Sequence, residues 1–361
     1  MKAVPRAAVI LGGRRIGLDH APFIVAEMSG NHNQSLERAL AIVAAAAEVG
    51  AHAIKLQTYT ADTMTLPISE GEFFIRDEKS LWKGSSLHDL YRLAHTPWEW
   101  HAPIMQRAAE LGILCFSTPF DDTAVDFLES LNTPAYKIAS FEAVHLPLIR
   151  KVAATGKPVF ISTGMATLEE IDDAVTAARD GGCKDLILFK CTSTYPASPV
   201  DSNVLTLPHL RERFGCEVGL SDHTMGVGAA VAAVAHGATA IEKHFTLRRA
   251  DGGVDSVFSL EPEEMRSLVV ETERAWQSLG QVRFGPSAAE VKSREYRRSL
   301  YVAEDMRAGD VLTPANLRII RPGRGLAPKH YERVLGRQVV RAVRRGTPVT
   351  WELIGESDGT Q

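Results

Sequence analysis

From Phe23 onward, apolar runs of five to seven residues alternate with longer segments whose apolar positions recur three and four apart, and this alternation repeats eight times. The runs predicted as strands are Phe23–Ser29, Ala53–Thr58, Ile113–Thr118, Ala135–Ser140, Pro158–Thr163, Leu186–Thr192, Glu217–Ser221 and Ala240–Phe245. Helices are predicted over Leu36–Val49, Thr123–Leu131, Leu168–Asp180, Val227–His236 and Glu261–Leu279. Eight β/α units in about 260 residues predict an α/β fold in the form of a closed (β/α)8 TIM barrel. A doubly wound open sheet usually has fewer strands, and no glycine-rich phosphate fingerprint follows the first strand here. Ahead of the rhythm, residues 7 to 19 read as a hairpin around Gly12-Gly13 that could plug the base of the barrel.

The functional signal lies in where the polar residues fall. Nearly every predicted strand is apolar until its C-terminal end and then turns polar: Glu27; Lys55 and Gln57; Ser117-Thr118; Lys137, Ser140 and Glu142; Ser162-Thr163; Thr192-Ser193; Ser221 and His223; Glu242 and His244. In a barrel these ends converge on one mouth. Ser162, Thr163 or Ser221 alone could simply cap a helix. A lysine inside an apolar strand is different, because burying an unpaired ammonium is costly. Lys55 and Lys137 are therefore expected to face an anion or a carboxylate, and with the nearby hydroxyls they suit a small molecule carrying phosphate and carboxylate groups. His223 and His244 end consecutive strands, so their imidazoles would meet at one rim. A divalent transition metal held there would keep positions open for water or substrate. The plainer alternative is one capping histidine and one packed histidine.

The connection from Ala61 to Pro97 is long and carries Glu72-Phe73-Phe74 and Leu81-Trp82-Lys83-Gly84, so it is either a lid at the mouth or a packed insertion. The predicted division is a barrel domain with its hairpin over residues 1–284, a linker over 285–298 and a small module over 299–361. Strand-like runs at Ser299–Val302 and Arg337–Val343 mark the module, and the segment Arg321-Pro322-Gly323-Arg324-Gly325 is basic and glycine-rich. About 57 residues bury too little surface to stand alone with ease, so docking on a barrel is expected. A net charge of −4 gives no reason to expect nucleic acid or an anionic membrane as partner. The four cysteines have no metal-like spacing and read as buried thiols. No signal peptide or membrane-spanning run is recognised, and a cytoplasmic location is expected.

Taken together, several motifs resemble the sialic acid synthase family: Ile24-Val25-Ala26-Glu27 followed by Asn31-His32-Asn33; Lys55-Leu56-Gln57-Thr58; Ser117-Thr118-Pro119-Phe120; Tyr136-Lys137-Ile138-Ala139-Ser140; Ser162-Thr163-Gly164-Met165; Gly219-Leu220-Ser221-Asp222-His223-Thr224; and Glu242-Lys243-His244-Phe245. The C-terminal module, with Arg321-Pro322-Gly323 and Gly325, resembles that family's antifreeze-like (SAF) domain of β-clip type. Leu81-Trp82-Lys83-Gly84, Thr96-Pro97-Trp98-Glu99-Trp100, Ser256 to Pro262, and Gly346-Thr347-Pro348 with Trp351 are most similar to the family's pseudaminic acid synthases. Neuraminate-making members usually read Cys-Thr-Asn where this chain has Cys191-Thr192-Ser193. This departure argues against N-acetylmannosamine as acceptor.

The resemblance implies condensation of phosphoenolpyruvate (PEP) with an open-chain amino-sugar aldehyde, 2,4-diacetamido-2,4,6-trideoxy-L-altrose, giving pseudaminic acid and phosphate. It implies that Lys55, Thr118, Lys137, Ser140, Ser162 and Ser221 hold PEP. His223 and His244 would hold a divalent metal, Mn2+ first with Mg2+ or Co2+ as alternatives, which polarises the aldehyde oxygen. Glu27, then Glu242, are the candidates for moving the proton of the attacking water. Glu142, Ser193, Tyr195 and Asp255 fall where relatives contact the sugar, and Arg321 would reach it from the partner of a domain-swapped homodimer. An apolar wall from Phe73, Phe74 or Phe258 is expected against the acceptor's methyl group. Competing readings are N-acetylneuraminate or legionaminate synthesis by the same chemistry, a pyruvate aldolase, and a non-catalytic carbohydrate-binding protein.

Overall fold

The computed structural model describes residues 8–78 and 80–356 and divides into two compact units, Met1–Gly280 and Gln281–Gln361. In the first unit, β1 (Val9–Leu11) and β2 (Arg14–Ile16) form an antiparallel hairpin. The next eight strands are all parallel and close into a barrel. They are β3 (Phe23–Glu27), β4 (Ala53–Thr58), β5 (Leu114–Pro119), β6 (Tyr136–Ile138), β7 (Val159–Ser162), β8 (Leu186–Cys191), β9 (Glu217–Ser221) and β10 (Ala240–His244). β10 pairs with β3 to complete the ring, so the predicted TIM barrel is the observed one. Seven of the eight predicted runs contain their strands, and β5 runs one residue past its predicted end, to Pro119. Two end early, because Ser29–His32 and Ser140–Glu142 turn into short 3-10 helices.

Strand side chains alternate between faces, and the two faces have different cores. Outward, Ile24, Ala26, Ile54, Leu56, Ile138, Ile161, Leu188, Val218 and Ile241 pack against Ile42, Val43, Ile104, Leu128, Ile149 and Val152 of the helices. Inward, Phe23, Val25, Ala53, Phe116, Phe160, Phe189 and Ala240 fill the ring, and Val9, Leu11 and Ile16 of the hairpin join them at the base. Gly219 makes room for this filling: a Cβ there would stand 2.9 Å from the Phe189 ring. Several helices start where the sequence supplies caps. Ser35 Oγ accepts from the Arg38 amide, Asp121 from those of Thr123 and Ala124, and Thr167 and Glu170 form a capping box.

The second unit has its own core, including Leu300, Val302, Leu312, Leu317, Val334, Val339, Val349 and Leu353. Among the described residues its one pair of strands is β11 (Ser299–Val302) with β12 (Leu317–Ile320). The predicted strand at Arg337–Val343 is not formed. Its backbone pairs one residue at a time, through isolated bridges such as Met306 with Val343 and Val311 with Gln338. Within the stretch read as linker, Lys292–Tyr296 is a 3-10 turn and Glu295 O accepts from Gly323 N at 2.8 Å. The latter half of that stretch therefore folds onto the second unit. All four cysteines are buried and none forms a disulfide, and no helix among the described residues is long and apolar enough to cross a membrane.

Candidate active site

Strand register sets the height of every inward side chain. His244 lies opposite Glu27, Glu27 opposite Lys55, Gln57 opposite Thr118, Glu242 opposite Ser221, and Ser221 opposite Cys191. One step above the aromatic layer, the barrel therefore changes from apolar to ionic.

In that layer Lys55 Nζ is 2.9 Å from Glu27 Oε2 and 3.8 Å from Glu242 Oε1, and it donates to Thr118 Oγ1 at 3.0 Å. Lys137 Nζ donates to Ser162 Oγ at 2.6 Å and is 3.6 Å from the same Glu242 oxygen. The hydroxyls of Ser162 and Ser221 are 3.0 Å apart, and Ser221 Oγ is 3.5 Å from Glu242 Oε1. Gln57 Nε2 donates to Glu27 Oε1 at 2.9 Å. Each ammonium thus has a carboxylate, which is what makes its burial tolerable. The two carboxyls are tuned apart. Burial raises Glu27 to about 7, opposed by Lys55 and reinforced by the Glu242 charge. For Glu242 burial acts upward too, but Lys137 and Lys55 together outweigh it and hold the group below its ordinary range. Near neutrality Glu242 is ionised while Glu27 exchanges its proton, so the two carboxyls differ in role.

Beside the lysines, Ser140 Oγ accepts from the Gly164 amide at 3.2 Å. A side chain at position 164 would collide with the hydroxyls of both Ser140 and Ser193, so glycine is required by close approach. Glu142 ends the same short helix as Ser140. Its Oε2 is buried with no hydrogen-bond partner, and burial raises its carboxyl to about 7.

Above this layer the imidazoles of His223 and His244 lie 5.3 Å apart between ring centres. His223 Nδ1 is 2.9 Å from the Thr192 carbonyl, so Nδ1 is its protonated nitrogen in the neutral ring and Nε2 keeps a lone pair. His244 Nδ1 is buried with no hydrogen-bond partner, with Asp255 Oδ2 3.8 Å away, and burial holds this imidazole neutral. Among the described residues no group of three or more His, Cys, Asp or Glu converges as a ligand set. The donors do fit an ion that takes two imidazole nitrogens and leaves its other positions open. Tyr195 packs 4.5 Å from His223, and Phe258 lies 4.8 Å from His244 and 5.1 Å from Tyr195. Trp82, from the long 61–97 connection, comes within 6.0 Å of Tyr195 and donates from Nε1 to Val254 O at 3.0 Å. Part of that connection therefore forms one wall of the mouth.

The structure thus gathers Glu27, Lys55, Thr118, Lys137, Ser162, Ser221 and Glu242 in one layer, sets Ser140, Glu142 and Ser193 beside it, and puts His223, His244, Tyr195 and Asp255 at the rim. Arg321 belongs to the second unit. Several contributors had no assigned role in the sequence reading. Gln57 was legible as a polar residue at a strand end. Cys191, with Sγ 3.9 Å from His223 Nδ1, looked like an ordinary buried thiol. Asp222 and Lys243 each stand next to one of the two histidines and form a fully buried pair on the outer side of the ring, at 2.8 Å. No pattern in the sequence points to that pairing.

Comparison with known proteins agrees with this architecture. The profile of the NeuB family matches residues 42–284, and that of the SAF domain matches residues 297–354. Pseudaminic acid synthase of Campylobacter jejuni is 42% identical over 328 residues, covering 91% of this chain and 95% of the relative. The Helicobacter pylori protein of the same name is 42% identical over 338 residues, covering 93% and 98%. Among solved structures, the N-acetylneuraminic acid synthetase of Leptospira borgpetersenii, in complex with citrate, superposes with a TM-score of 0.71 at 31% identity, covering 79% of this chain and 94% of that one. Relatedness this close, over nearly the whole length and across both units, leads to one assignment: the chain belongs to the NeuB family and carries a SAF domain after its barrel.

Proposed function

We propose that this chain is a pseudaminic acid synthase, joining PEP to 2,4-diacetamido-2,4,6-trideoxy-L-altrose with water to give pseudaminic acid and phosphate. The observation that carries the reading is the pair of buried ammonium groups, Lys55 and Lys137, ringed by hydroxyls and set directly below two imidazoles. That layer suits a small phosphorylated carboxylate, and the 42% identity to two pseudaminic acid synthases favours their acceptor.

In this reading Lys55, Lys137, Thr118, Ser162 and Ser221 bind the charged end of PEP, with the Ser140 hydroxyl, held by the Gly164 amide, supplying a further donor. The enol carbon of PEP attacks the aldehyde carbon, and the aldehyde's π electron pair moves onto its oxygen, which takes up a proton to become a hydroxyl. Water then adds at the carbon bearing the phosphate ester, and the carbon–oxygen bond to phosphate breaks to leave the 2-keto acid. Glu27, poised near neutrality and oriented by Gln57, takes the proton of that water. Glu242 stays ionised and keeps both ammonium groups in place. His223 and His244 would hold a divalent metal, Mn2+ first, whose chemistry when bound is to polarise a carbonyl oxygen. Glu142, Ser193, Tyr195 and Asp255 orient the acceptor, and Phe258 supplies an apolar surface for its methyl group. Phe258 is the strongest of the three phenylalanines considered, because it is buried against both imidazoles.

Arg321 completes the acceptor site from the second copy in a swapped homodimer. Mixing an inactive Lys55→Met protein with an inactive Arg321→Ala protein then restores activity in the mixed dimer. The deciding experiment for the reaction is a mass measurement of the product from PEP and a panel of amino-sugar aldehydes. A product formed only with the mannosamine or legionaminate-series aldehydes would replace this acceptor with theirs.

A further inference from the structure

The turn after β3 holds a residue in the wrong conformation for its type. Ser29 has φ +46°, in the left-handed region that glycine occupies freely and residues with a Cβ avoid. Glycine would make the same turn without strain, so the turn alone does not account for serine. The hydroxyl does. Ser29 Oγ donates a hydrogen bond to Asp255 Oδ2, 226 positions further along the chain, and the Gly30 amide supports the same carboxylate. Ser29 is buried, so its hydroxyl has no water as an alternative partner.

The carboxylate it holds is the one nearest the orphaned Nδ1 of His244. His244 in turn packs against Phe258 and Tyr195, so the carboxylate borders the aromatic side of the rim. The neighbouring backbone is locked as well. A side chain at Gly30 would run into Val254 and the Ala94 backbone, so the 29–30 turn and the segment leading to Asp255 are fitted face to face. Strain retained at a rim residue, with its side chain committed to one half-buried carboxylate, is the pattern of a functional constraint.

We propose that Ser29 is a positioning residue that aims the Asp255 carboxylate at the acceptor sugar; this rests on the synthase reading above. Ser29→Gly removes both the strain and the hydroxyl, whereas Ser29→Ala removes the hydroxyl and keeps the strain. Both variants should lower kcat/KM for the acceptor aldehyde tenfold or more, roughly what loss of a hydrogen bond to a charged group produces. The KM for PEP should stay within about twofold, because the ammonium layer is untouched. Ser29→Gly should melt above Ser29→Ala, because it alone relieves the strain. In an Asp255→Asn background, Ser29→Gly should add nothing further, since it acts only through that carboxylate. Wild-type acceptor kinetics in Ser29→Gly, an equal loss for both substrates, or full additivity with Asp255→Asn would overturn the proposal. A wild-type protein that released no phosphate from PEP with any aldehyde would instead overturn the synthase reading itself.

Discussion

Replacing Lys243 by methionine tests whether the outer ion pair fixes the two histidine-bearing strands. Its ammonium contacts Asp222 Oδ2 at 2.8 Å and donates to Thr224 O at 2.5 Å, and both side chains of the pair are 1% exposed. Methionine fills a similar volume but leaves Asp222 with one donor, the Thr224 amide at 2.9 Å, and leaves the Thr224 carbonyl without its ammonium. Breaking one side of a buried pair costs about 3–5 kcal/mol. At roughly 2–4 °C per kcal/mol for a domain of this size, the melting temperature should fall by about 6–20 °C. Activity should fall with it, because Asp222 and Lys243 are the chain neighbours of His223 and His244. The assay is thermal and urea unfolding of the full chain for the wild type, Lys243→Met, Asp222→Asn and the double variant. Removing both charges abolishes the unpaired carboxylate, so the double variant should be more stable than Lys243→Met alone. A loss below about 1 kcal/mol in Lys243→Met would refute the reasoning, as would a double variant whose loss equals the sum of the singles.

Three further outcomes follow from the site. Chelation should abolish phosphate release and Mn2+ should restore it, with Mg2+ and Co2+ tested in parallel; full activity in chelator would remove the metal from His223 and His244. The Glu142 carboxyl is raised from 4.5 to about 7, so the folded chain binds more protons than the unfolded one across that window and loses stability as pH rises through it. Glu142→Gln should therefore match the wild type near pH 4 and melt higher than it at pH 8; parallel melting curves at the two pH values would contradict this. Phe258→Ser should reduce the preference for the 6-deoxy acceptor over the 6-hydroxy sugar severalfold, read from competing kcat/KM values, and an unchanged ratio would exclude Phe258 as the apolar wall.

Much of the fold was legible because a parallel barrel writes its periodicity into the chain. Apolar strands that turn polar at one end, between helices with apolar positions three and four apart, locate all eight strands. The small module was read less well. At Arg337–Val343 single-residue bridges replace a ladder, and apolar composition alone does not distinguish the two. Lys55, Lys137, Glu27 and Glu242 stood out as charged groups in strands otherwise built for burial. Ser29 did not, since a serine after a strand is unremarkable until its φ angle and its partner 226 positions away are known.

By itself the sequence determined the strand–helix alternation, the caps that start the helices, and the set of polar side chains directed toward one rim. Those properties depend on neighbours a few positions apart. Only the closed ring decided that Glu242 would serve two ammonium groups at once, that Gly164 would press against two serines, and that Lys243 would find Asp222 on the outer face. Such pairings depend on strand register and on the curvature that brings β10 back to β3, and no local stretch of chain encodes them.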